Sequence, residues 1–152
     1  MTVKKLLSIA LLALLALSLT GCRGAEEAVK LCRIEITDLT GEREPVTLVE
    51  LSQKEVNEFL GTEDWENEET DAPADLTPQY RIEVYQDPTK TATQLEDTQP
   101  LKILEYVTYA DTNVVKCTVG GEILPEEIVE GFLEHYNVAP PSFFASLNAA
   151  LS

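Results

Sequence analysis

Histidine, tryptophan and positive charge are all scarce in this 152-residue chain. It holds one His, one Trp and only 11 Lys and Arg against 27 Asp and Glu, a formal charge of −16. So acidic a surface repels phosphate backbones and anionic head groups, which argues against nucleic acid as a partner. The lone His135 leaves little room for His-based acid, base or nucleophile constellations. No Gly-x-Ser-x-Gly, Cys-His or phosphate-loop pattern stands beside it. Cysteine is limited to Cys22, Cys32 and Cys117, none at zinc-ligand spacing, so no metal or other cofactor is expected. Carboxylates are so many that pairs of them arise unavoidably and carry no information about acid-base chemistry.

What the chain does have is a distinctive beginning. Lys4 and Lys5 precede a run from Leu6 to Leu19 made only of Leu, Ile, Ala and Ser, followed by Thr20, Gly21 and Cys22. A positive segment, an apolar segment and small residues at a cleavage point form the order of an export signal. The apolar run is about 14 residues, whereas a bilayer-spanning helix needs about 20. It therefore reads as a signal segment and not as a lasting transmembrane helix.

The four residues Leu19-Thr20-Gly21-Cys22 closely resemble the lipobox of bacterial lipoproteins. That resemblance implies that the Cys22 thiol receives a diacylglyceryl group and that the chain is cut after Gly21, making Cys22 the first residue. Two acyl chains supply the dual signal that stable anchoring requires. The expected location is the extracytoplasmic face of the cell membrane, with the membrane a partner through the lipid on Cys22. In size and layout the remainder loosely resembles small lipoproteins of Gram-positive bacteria, a likeness without a residue motif that implies no site.

Loss of residues 1–21 leaves 131 residues with 9 basic and 27 acidic side chains, a net −18. That is the size of one domain. Residues 22–30 suit a short tether, leaving 31–152 as the domain. Alternation of Cys32, Ile34 and Ile36 with Arg33, Glu35 and Thr37 predicts a strand over 31–39, and Pro45–Leu51 a second one in hairpin with it, with Val46, Leu48 and Glu50 on its inner face. Ser52-Gln53-Lys54-Glu55 is a capping box, opening a helix that stops at Gly61. Residues 62–78 hold seven acids and no base, predicting an exposed loop. Trp65 there either anchors a partner or folds back onto the core, the commoner outcome.

Strands are then expected over 79–86, 91–96, 101–110 and 114–119, with turns at 87–90 and 111–113. Pro125-Glu126-Glu127 predicts a helix with Ile128, Val129, Phe132, Leu133 and Tyr136 on one stripe, ending at Asn137. His135 near its end would interact favourably with the helix dipole. A last helix from Ser142 presents Phe143, Phe144, Leu147 and Leu151. The fold class expected is α+β, a mostly antiparallel sheet of about six strands with helices on one face.

Three functional expectations follow. The first is a noncatalytic, lipid-anchored binding or accessory module that meets another envelope protein or a small ligand. The second is a calcium-responsive domain through residues 63–75, since Asp64, Glu66, Glu68 and Asp75 fall at positions 1, 3, 5 and 12 of a calcium-loop template. That match is poor, because position 6 is Glu69 where Gly is needed. The third is a small envelope hydrolase. Finally, Cys32 and Cys117 share strand parity with apolar neighbours and are expected to be buried together, either bridged as a disulfide or as two free thiols that fill space.

Overall fold

The computed structural model describes residues 31–66, 69–87, 99–119 and 134–152. The elements in chain order are β1 (Cys32–Asp38), β2 (Val46–Leu51), α1 (Gln53–Leu60), β3 (Glu69–Thr70), β4 (Pro78–Gln86), β5 (Leu101–Tyr109), β6 (Val114–Val119), β7 (Glu134–Val138) and α2 (Pro141–Ala150). The strands form one antiparallel sheet in the order β2-β1-β4-β5-β6-β7-β3. The α+β class read from the sequence is the class observed. Residues 88–90 of the turn expected at 87–90, the strand expected at 91–96 and residues 125–133 of the helix expected to end at Asn137 lie outside the described residues.

Strand β1 shows how the alternating sequence makes the sheet. Cys32, Ile34, Ile36 and Asp38 are buried while Arg33, Glu35 and Thr37 are not fully so. The inward row continues across the sheet through Ile36, Ile82, Tyr106 and Cys117 to His135. Val56 and Leu60 of α1 and Phe143 and Leu147 of α2 join Ile34, Ile36, Ile82 and Val84 in one buried cluster. Burying side chains of this size contributes roughly 1.5–3 kcal/mol each.

Strand β2 departs from simple alternation. Cys32 pairs with Leu51 but Ile34 with Leu48, so β2 carries an extra residue. Glu50 takes φ 57° there. The bulge changes the facing of the strand: Val46, Leu48 and Leu51 all pack on the core, and Val49 is left 59% exposed. The expectation that Glu50 would share the inner face with Val46 and Leu48 is thereby corrected.

Helix α1 begins as the sequence dictates. Ser52 Oγ accepts from the Glu55 backbone N–H at 3.3 Å, and Glu55 Oε2 accepts from the Ser52 N–H at 2.7 Å. The Ser52 hydroxyl, which also donates to Glu55 Oε2 at 2.7 Å, and then the Ser52 N–H hold the Glu55 carboxyl below its usual range. At the other end Gly61 has φ 62°, its N–H bonds to Glu58 O, and the Thr62 N–H bonds to Asn57 O. This pair of bonds is a Schellman closure.

The largest correction falls on residues 134–138. They form β7, not the end of a helix, and pair with β6 along its length. Glu134-His135-Tyr136-Asn137-Val138 fits a period of two as well as one of 3.6, and pairing with β6 satisfies the backbone groups that the two strands turn toward each other. The helix-dipole role expected for His135 falls with this. The acidic stretch 62–78 is likewise not all loop, because Glu69 and Thr70 pair with Asn137 and Tyr136.

Candidate functional site

The residues singled out from the sequence do not converge. Gly21 and Cys22 lie outside the described residues. Cys32 and Cys117 are both buried, as expected, and both are free thiols. The expectation that they would be neighbours is corrected by strand order: β4 and β5 stand between β1 and β6. Three strand spacings are about 14 Å, already twice the ~7 Å Cα limit for a disulfide. Cys117 is also level with Ile36, four residues along β1 from Cys32. No bridge joins them.

Burial, with a lesser contribution from Asp87, raises the Cys32 thiol, and burial pushes Cys117 up to about 12 against a lowering hydrogen bond from Tyr106. Cys32 Sγ lies 3.9 Å from Gln53 Oε1. A thiol held protonated is the opposite of an activated nucleophile. His135 stands opposite Cys117 across β6 and β7, half-buried.

Trp65 folds back. Its indole N–H donates to Leu60 O at 2.7 Å, and its ring lies 5.6 Å from Tyr106 and 5.7 Å from Phe143, which are themselves 5.7 Å apart. This aromatic triangle joins the entry of the acidic stretch to β5 and α2. Asp64, the first position of the calcium template, accepts from Ser142 Oγ at 2.6 Å near the positive end of α2. Glu69, at the template's sharp turn, is in a strand instead. Glu68 lies outside the described residues, and Glu66 and Asp75 are exposed. Among the described residues no three His, Cys, Asp or Glu side chains group as metal ligands.

The constellation that sequence reasoning missed lies on the outward-alternating positions. Glu35 pairs with Glu83, Glu83 with Glu105, Glu105 with Thr118 and Thr118 with Glu134, a single row across five strands. Like charges directly opposite repel. Cations flank the row. Lys102 Nζ lies 3.2 Å from Glu83 Oε1 and 2.9 Å from Glu105 Oε2, Lys116 Nζ 2.9 Å from Glu134 Oε1, and Arg33 Nε 3.0 Å from Glu35 Oε1.

The two central carboxylates of this row are well covered, Glu83 and Glu105 side chains being 16% and 21% exposed, whereas Glu134 at the end of the row is exposed. The Glu105 hydrogen bond, then that to Glu83, raises the Lys102 ammonium. The Arg33 guanidinium sits 4.8 Å from the Tyr85 ring centroid. Burial first, then the charge of Glu83, raises the Tyr85 hydroxyl. Each charge is answered by a neighbour, so the row is an ordered lattice rather than a set of groups poised to react. The outward parity of Arg33, Glu35 and Glu83 was legible in the sequence, but the cross-strand register that aligns them was not.

A search for relatives returns no matching family model, no matching curated protein and no matching solved structure.

Proposed function

We propose that the chain is a lipoprotein precursor whose domain, residues 31–152, is held at the extracytoplasmic face of the cell membrane by a lipid on Cys22. There it serves as a binding or accessory module without catalytic chemistry, meeting another envelope protein or a small ligand. One observation carries the anchor: Lys4-Lys5, the apolar run 6–19 and Leu19-Thr20-Gly21-Cys22 follow one another in the order and spacing that export and lipidation require. In this reading α1 and α2 cover one sheet face. The noncatalytic part is supported by the state of the reactive groups, with both thiols held protonated and Lys102 locked between two carboxylates.

The test is metabolic labelling with a fatty acid, comparing the natural chain with Cys22→Ala. Label and membrane association are expected in the first and lost in the second. A Cys22→Ala chain that is still labelled and still membrane-bound sinks the anchor. For the module itself, crosslinking on intact cells followed by recovery of the labelled protein is expected to return the same envelope component repeatedly, and a result with no reproducible partner or ligand counts against it.

A further inference from the structure

We draw no further inference here: the strongest candidate, the cross-strand row Glu35, Glu83 and Glu105 flanked by Arg33 and Lys102 on the outward-alternating side of the sheet, has its charges answered by one another, and nothing in the structure shows what covers it.

Discussion

Gly61 and Ser142 approach so closely that a Cβ on the glycine would sit 2.5 Å from the serine Oγ. The contact joins the end of α1 to the first turn of α2, and the same Ser142 hydroxyl reaches Asp64. Two costs therefore attach to any side chain at position 61, the left-handed φ of 62° and the clash. Gly61→Ala is expected to destabilise by about 2 kcal/mol, of which ~1 reflects the backbone conformation. In a Ser142→Ala background the second part should shrink. Urea unfolding of the two single variants and the double variant measures the coupling, and strict additivity would show that the close approach costs nothing.

Trp65 is the hinge of a second prediction. Trp65→Phe keeps a ring beside Tyr106 and Phe143 but loses the N–H donated to Leu60 O, so a loss of about 1 kcal/mol is expected. Trp65→Ala also removes the ring and should cost about 3 kcal/mol. As the one Trp of the chain, it should emit at a blue-shifted wavelength in the folded protein and shift red on unfolding. A folded-state emission like that of free tryptophan in water would contradict the aromatic triangle.

The local signals in the sequence were the ones that translated most directly into structure. Ser52 and Glu55 act within one turn of helix, Gly61 caps its own helix, and alternation in Cys32–Asp38 needs only a neighbour to lean on. The failures are those where the deciding partner is distant in sequence. Residues 134–138 carry both periodicities, and only the presence of β6 alongside selects the strand. The Val49–Glu50 bulge depends on matching Leu51 to Cys32 across the hairpin. The charge lattice depends on register between four separate strand pairs, which no single segment encodes. Strand order, again nonlocal, is also what separates Cys32 from Cys117 although each was correctly expected to be buried.

Glu50 supplies a test of the bulge. A non-glycine residue at φ 57° bears a steric cost that glycine does not. Glu50→Gly is expected to stabilise by up to about 1 kcal/mol, and Glu50→Val, branched at Cβ, to destabilise. Thermal unfolding midpoints order the three proteins. If Gly lies below Glu in that order, the left-handed conformation at position 50 is not the one adopted in solution.

The buried thiols make stability fall in alkali. A thiol near 9 in the unfolded chain gives up its proton there, while Cys117 in the fold holds on to about 12. The folded state thus binds more protons between these values. Its contribution is whole below pH 9 and is lost as pH rises toward 12, at up to about 1.4 kcal/mol per pH unit. Cys32, also raised, adds in the same direction. Against Cys22→Ala as the reference, Cys117→Ala should lower stability at pH 7 but flatten its decline between pH 9 and 10. In that same reference protein, alkylation after denaturation without reductant should add two groups per chain, since neither thiol is bridged. A mass showing no addition would mean that a disulfide has formed.

Lys102 decides whether the row of glutamates is tolerable. Glu83 and Glu105 face each other across β4 and β5, with the ammonium within 3.2 Å of the first and 2.9 Å of the second. Replacing it by Met keeps most of the aliphatic stem and removes only the charge, so the two carboxylates are left opposite one another without a counter-ion. The natural side chain is 35% exposed, which lets water screen the loss. Lys102→Met is expected to cost about 1–2 kcal/mol at pH 7 and low ionic strength. The repulsion is electrostatic, so the deficit should shrink in 1 M salt, where screening acts over roughly 3 Å. It should shrink again in Lys102→Met with Glu83→Gln, which leaves one charge where there were two. A deficit insensitive both to salt and to Glu83→Gln would assign the role of Lys102 to packing of its stem and not to its charge.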